Sequence, residues 1–386
     1  MQAKEFDLIV IGSGVLGTFH AYHALNRGMK VALIEKDSKP ISASVRNFGQ
    51  IVPSGMNPKW QRYGRKSLKF YKKIQTEFDI SIRQNGSIYL ASNEEELNLI
   101  HELHHINQLN DYPSELLSQE QCISKYPSLQ TTYVKGGLFF PEEVSVNPRE
   151  MLCKIHQFLK FNGNFSFFPN TAIHEINTLS DQTEAVDTAG NSFLADKVIV
   201  CSGEEFSLLF PELFKKSDLE VVKLQMLRLK GNKSIKIPGN ILTGLSIRRY
   251  ESFQDCPSYS SLSDQYNHDY FARKWGVHIL FKQETDGSII LGDSHEYADA
   301  PHKNALSFDN RSDINQYFIA EGKKIFELES WEIDTQWAGY YTQCKTKDIL
   351  QKTIDKNIHI VTGIGGKGMT ASAGFAYENI KKIFAI

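Results

Sequence analysis

Six residues, Gly12-Ser13-Gly14-Val15-Leu16-Gly17, have the spacing with which a backbone can hold a phosphate. The apolar run FDLIVIG precedes them and TFHAYHALNRG follows, so the turn joins a buried strand to a helix. Gly12 permits the tight turn, Gly14 lets a pyrophosphate approach, and Gly17 lets the helix pack closely on the sheet. The helix start then offers unpaired N–H groups and the positive end of its dipole. A second strand, KVALIEK, ends at Glu35, 18 residues after Gly17, where a carboxylate can accept from a ribose hydroxyl. Lys36 stands beside it on the same rim. The chemistry these spacings serve is dinucleotide binding.

Three further segments narrow the dinucleotide to FAD, which is expected to be bound non-covalently. SASVRNFG supplies Ser44, Val45, Arg46, Asn47, Phe48 and Gly49 directly after the βαβ unit. VIVCSG ends a strand at Cys201, Ser202 and Gly203, and Ile173 lies in the preceding strand text TAIHEINTL. GIGGKGMT, residues 363–370, opens a last helix through Gly365, Gly366, Lys367, Gly368, Met369 and Thr370. A nicotinamide has little use for a second glycine-rich strand-to-helix turn. A flavin gains from one, because a helix start near the ring stabilises negative charge on its reduced form. Lys367 would add a cation there.

The elements that must position these residues follow from periodicity and caps. Residues 58–79 place Trp60, Tyr63, Phe70, Ile74 and Phe78 on one helical face. Asn93 with Glu96 reads as a capping box for a helix to about Asn110, and Asn147 with Pro148 and Glu150 starts another. Strand text dominates from Thr171 to Gly203 and again from about 220 to 295, where ETDGSI marks a hairpin. A helix is predicted over 312–328. The fold class is therefore α/β: an interrupted Rossmann-type FAD-binding domain (1–80, 145–215 and 331–386) with a second α+β substrate domain (81–144 and 216–330) on a mainly antiparallel sheet. The 386 residues, 41% hydrophobic with 43 basic against 45 acidic, suit two globular cores and ask for no nucleic acid. Five scattered cysteines without a CxxC pair suit a reducing cytoplasmic setting. No run reaches the ~20 apolar residues of a membrane span.

These segments together resemble the FAD-dependent amine and amino-acid oxidoreductases of the D-amino-acid oxidase, glycine oxidase and sarcosine oxidase type. The matches are GSGVLG with Glu35, SVRNFG, VIVCSG, WAGYY and GIGGKGMT. SVRNFG, KLQMLR, GLSIRRY–ESFQDCPS, WGVH, LGDSHEY and TGIGGKGMT look like a subfamily associated with phosphonate breakdown, similar to oxidases of 2-aminoethylphosphonate-type amines. The resemblance implies oxidation of the C–N bond of a small amine, with oxygen or another acceptor taking the electrons. It also implies that an antiparallel sheet of the second domain covers the flavin. Glycine-oxidase-like members carry a carboxylate-binding arginine after WAG, whereas here Tyr340 and Tyr341 follow. A 2-hydroxy acid substrate and a non-catalytic flavoprotein are the alternative readings.

Amine oxidation by a flavin needs positioning more than acid–base machinery. For the substrate's anion, Arg248 in GLSIRRY is the expected guanidinium fork, with Tyr250 on its face and Arg249 opposite if the segment is a strand. His278, His295, Gln225 and Tyr341 complete the expected substrate set. His101, His104 and His105 read as an exposed helix face, and no metal is expected.

Overall fold

The computed structural model describes residues 4–262 and 270–385. Strand β1 (Lys4–Ile11), helix α1 (Val15–Leu25) and strand β2 (Val31–Ile34) form the expected βαβ unit. Both strands lie parallel, with Leu8 against Val31 and Ile11 against Ile34. On its other edge β1 pairs in parallel with Ser192–Val200, which continues to Ile358–Thr362. The chain thus leaves β1 in two directions, and that reversal opens a crevice beyond the strand ends, at Gly12 and Cys201. Phe165–Phe168 extends the sheet beyond β2, and Leu350–Ile354 closes the far edge antiparallel.

The second sheet is mainly antiparallel, as expected. Its long strand Leu219–Leu229 bonds Glu296–Asp299 and Ile289–Gly292 on one side. On the other side it runs against Ile333–Cys344, from Leu219 opposite Cys344 to Leu229 opposite Ile333. That pairing corrects the expected boundary, which gave 331–386 whole to the cofactor domain. The reason is the WEIDTQWAGYYTQC text, long enough to span the entire partner strand. The ETDGSI hairpin forms as expected, with Gln283 opposite Ile289.

Helix α2 (Pro58–Glu77) starts on Asn57, whose side chain accepts from Trp60 N–H, with Pro58 in the first turn. Its buried stripe is Trp60, Gly64, Ser67, Leu68, Tyr71 and Ile74, while Tyr63, Phe70 and Phe78 are only partly covered. It packs on the last helix, Gly368–Phe384, at Gly374, where a Cβ would stand 2.1 Å from the Tyr63 carbonyl oxygen. Asn93 caps Glu94–Leu109 as expected, but Glu96 does not complete the box. Its carboxylate accepts from Ser92 N–H and Oγ–H instead. Asn147 caps Pro148–Leu159, accepting from Arg149 N–H and donating to Glu150. Among the described residues no helix is long and apolar enough to cross a membrane.

Three buried histidines tie α1 to its neighbours. His20 donates from Nδ1 to the Leu16 carbonyl and accepts from Asn379 at Nε2. His23 donates from Nε2 to the Ala373 carbonyl, and His156 Nε2 lies 2.8 Å from Thr18 Oγ1. Burial pushes their pKa values down from 6.5 to about 4, 3 and 3. As pH falls below 6.5 the unfolded chain takes up these protons first, so stability, constant above that pH, declines towards pH 4. At pH 5 each histidine is expected to have cost about 2 kcal/mol. Denaturant unfolding of the protein at pH 7 and pH 5 checks this, and equal midpoints would refute it.

Candidate active site

Two cavities of about 330 and 460 Å³ lie in the crevice and meet at Gly14, Ser44, Cys201, Gly203 and Tyr341. The first runs over Gly12, Glu35, Lys36, Arg46, Ile173 and Ser202. Gly12 sits at φ +96°, and a Cβ there would stand 2.3 Å from the Cys201 carbonyl oxygen. A Cβ on Gly17 would lie 1.9 Å from the Gly12 carbonyl oxygen, so Gly17 serves the turn from behind. Gly14 differs: its nearest protein neighbour would be Ser44 Oγ at 3.1 Å, and it faces both cavities. The space before Gly14 is thus kept clear for something other than protein. Gly14 has no side chain to cap α1, and of the first backbone N–H groups Val15 donates to Ser44 Oγ at 3.0 Å.

Glu35 is buried at the mouth of the first cavity. Its Oε2 accepts from Ser13 N–H at 3.0 Å and Ser13 Oγ–H at 2.8 Å, and its Oε1 from Asp37 N–H at 3.1 Å. These bonds fix the carboxylate while leaving it lone pairs for a ligand's hydroxyls. The buried Ser202 Oγ has no partner, as a groove awaiting a polar ligand would leave it.

Most expected cofactor residues line one cavity or the other. Val15, Leu16, Asn47, Phe48, Gly49 and the run Gly365–Thr370 border the second. Two do not meet the expectation. The Ser13 side chain is turned to Glu35, and Val45 packs against the apolar core. Arg46 borders the first cavity, its Nε–H donating to the Ile41 carbonyl. Lys367 reaches the second cavity but is paired with Glu251 at 3.0 Å.

Residues 244–250 correct the strand expected there. Thr243 precedes a single helical turn, Gly244–Ile247, with Arg248 still helical. Successive side chains therefore diverge by about 100° rather than alternating across a sheet. Arg248 turns inward, its Nε–H on Glu96 and its Nη2–H on Glu95, both at 3.0 Å, and is no anion binder. Arg249 enters the second cavity with Tyr250. Gln225 is also misplaced by the sequence reading. It is fully buried, donating to the Arg311 carbonyl and Asn315 and accepting from Arg311 N–H, away from the cavity.

Around Arg249 stand Tyr250, His278, Asp293, His295, Tyr297 and Tyr341. Their rings form a chain: Tyr250 to His278 at 5.5 Å, His278 to His295 at 5.4 Å, His295 to Tyr297 at 6.2 Å. His295 Nδ1 lies 2.9 Å from the Gly276 carbonyl, which can only accept, so Nδ1 carries the hydrogen and Nε2 is an acceptor. Burial lowers the pKa of both histidines, with Arg249 adding to the effect. Burial raises that of Asp293, against the pull of His295 and Arg249. Among the described residues, His278, Asp293 and His295 bring ligand atoms within 4.8 Å of one another. Asp293 and Tyr297 were missed in the sequence, although both lie in or next to LGDSHEY, where the acid follows the end of a strand.

A family model described as DAO, FAD dependent oxidoreductase, matches residues 7–378. The chain belongs to this family. Its curated relatives include a glycerol 3-phosphate dehydrogenase of Caloramator mitchellensis, 22% identical over 95% of this chain and 71% of that one. A glycine oxidase of Geobacillus kaustophilus is 21% identical over 52% of this chain and 55% of its own length. Among solved structures, L-proline dehydrogenase from P. horikoshii superposes with a TM-score of 0.79 at 18% identity, covering 100% of this chain and 94% of that one. FAD is the cofactor of the family, and the residues of the groove fit it: a clear Gly14, a fixed Glu35 and an orphaned Ser202 Oγ. In this FAD-dependent oxidoreductase, Glu35→Ala is expected to weaken FAD binding by about 1–3 kcal/mol, the range for hydrogen bonds to charged groups. Reconstitution of the apoprotein with FAD measures it, and an unchanged Kd would leave Glu35 only its bonds to Ser13 and Asp37.

Proposed function

We propose that the protein oxidises a small amine carrying an anionic group, an aminoalkyl phosphonate such as 2-aminoethylphosphonate or its N-methyl form. Bound FAD would supply the hydride acceptor for the carbon next to nitrogen, with oxygen or another acceptor taking the electrons. The product imine hydrolyses in water. The observation that carries this reading is the donor set around the second cavity. Arg249 offers a guanidinium, and Tyr250, Tyr297 and Tyr341 offer hydroxyls, so donors are spread more widely than one carboxylate needs. Burial holds these phenols protonated, each pKa pushed up from its usual value. Tyr340 and Tyr341 after WAG leave no arginine at that point of the strand.

The names of the glycine oxidase and the L-proline dehydrogenase favour an amine, and that of the glycerol 3-phosphate dehydrogenase favours a tetrahedral dianion. An aminoalkyl phosphonate combines the two. The test is kcat/KM for 2-aminoethylphosphonate and its N-methyl form against glycine, sarcosine and D-alanine. The phosphonates are expected to lead by at least tenfold, about 1.4 kcal/mol of transition-state binding. A tenfold lead for any of the three carboxylates would overturn the phosphonate assignment.

A further inference from the structure

We propose that Asp293 receives the ammonium end of the substrate and takes one of its protons, so that the amine presented for oxidation is neutral. The inference rests on the amine reading and adds to it a residue that acts on the substrate's nitrogen.

Asp293 is 8% exposed, borders the second cavity, and its Oδ1 has no hydrogen-bond partner. An orphaned buried carboxylate oxygen is costly, and a cationic N–H donor entering the cavity would satisfy it. The groups facing it do not. His295 Nδ1 stands 3.9 Å from Oδ1, beyond hydrogen-bond reach, and is spent on the Gly276 carbonyl. Arg249 Nη1 donates to that same carbonyl. His278 uses its backbone N–H on the Asp293 carbonyl oxygen. Tyr250, Tyr297 and Tyr341 complete the surroundings and stay neutral. The cluster therefore holds two kinds of group. Arg249 and the tyrosines suit an anion, which the Asp293 carboxylate would repel, while Asp293 and His295 Nε2 are acceptors that suit an ammonium.

An alkylammonium carries no lone pair and cannot release hydride from its neighbouring carbon. One N–H bond breaks, its electron pair stays on nitrogen, and an O–H bond forms on Asp293. An ion pair becomes a neutral amine and a neutral acid, which burial favours from both sides. The proton leaves Asp293 for water once the product has gone.

The experiment is anaerobic stopped-flow bleaching of the flavin in wild type and Asp293→Asn over pH 6–10, with 2-aminoethylphosphonate and with glycine. Binding is read from the flavin spectrum for each amine and its amine-free counterpart, ethylphosphonate or acetate. In the variant, bleaching at pH 7 is expected to fall by about 100-fold or more, within the usual range for a proton-transfer group. The loss should shrink as pH approaches the amine's own pKa. Amine ligands should bind at least tenfold more weakly, with the amine-free ligands unaffected or tighter. An unchanged pH profile, or equal weakening of both ligands in a pair, overturns the proposal. Wild type alone tests it if the variant does not fold. Bleaching at low substrate that drops tenfold per pH unit throughout the range below the amine's pKa would mean that only free amine from solution is used, and would refute it. If glycine outperforms the phosphonate, the phosphonate reading fails while Asp293 is still judged on the glycine and acetate pair. If no amine binds or bleaches the flavin, both fall together.

Discussion

Gly14→Ala is expected to give a folded protein that binds FAD at least 100-fold more weakly, a loss of about 2.7 kcal/mol. The three glycines of the turn look alike in sequence and differ in what holds them. Gly12 has a positive φ and the Cys201 carbonyl oxygen against it, and Gly17 has the Gly12 carbonyl oxygen against it. A methyl group at either must displace backbone, and the fold itself is expected to suffer. Gly14 has φ −62°, open to any residue, and its only close neighbour is the rotatable Ser44 hydroxyl. A methyl group there costs the empty protein little and stands where a pyrophosphate must approach the start of α1. Circular dichroism of the apoprotein with an FAD titration separates the two effects. A variant that is folded and binds FAD normally would show that the phosphates lie elsewhere.

The adjacent arginines should respond in opposite ways to the same substitution. Arg249→Met removes the fixed charge from the second cavity and is expected to lower kcat/KM by about 10²–10³, corresponding to roughly 3–4 kcal/mol for truncating one side of a buried charge pair. Most of that loss should appear in KM, because an anion remote from the reacting carbon is bound equally in ground and transition states. Folding stability should change little. Arg248→Met instead leaves Glu96, 4% exposed at its side chain, facing Glu95 without the shared cation. It is expected to cost about 3 kcal/mol of stability, with near-normal KM in the protein that remains folded. Steady-state kinetics and denaturant unfolding of both variants measure the contrast. Loss of substrate affinity in Arg248→Met, with Arg249→Met unaffected, would restore the strand reading of GLSIRRY.

The cofactor half was legible because its constraints are local. A strand, a glycine turn, a helix start and an acid at the next strand end are bound to one another within 36 residues, and each rests on backbone geometry. The substrate half is assembled from segments far apart in the chain. GLSIRRY has the β-branched and apolar text of a strand, yet Thr243, with its Oγ–H on the Ile279 carbonyl, starts a helical turn. That turn exchanges the roles of Arg248 and Arg249. The strand Ile333–Cys344 sits beside cofactor segments in sequence, but its partner is 104 residues earlier at the closest register point, Leu229 against Ile333. Asp293 escaped notice because an acid after a strand is usually solvated. Only the packing of His278, His295 and Arg249 around it shows that it is buried.

The most direct test of the account is anaerobic mixing of the FAD-loaded protein with small amines, and separately with glycerol 3-phosphate and lactate. 2-Aminoethylphosphonate or its N-methyl form is expected to bleach the flavin, and the two hydroxyl compounds are expected to leave it oxidised. Bleaching by glycerol 3-phosphate or lactate, with every amine inert, would contradict it.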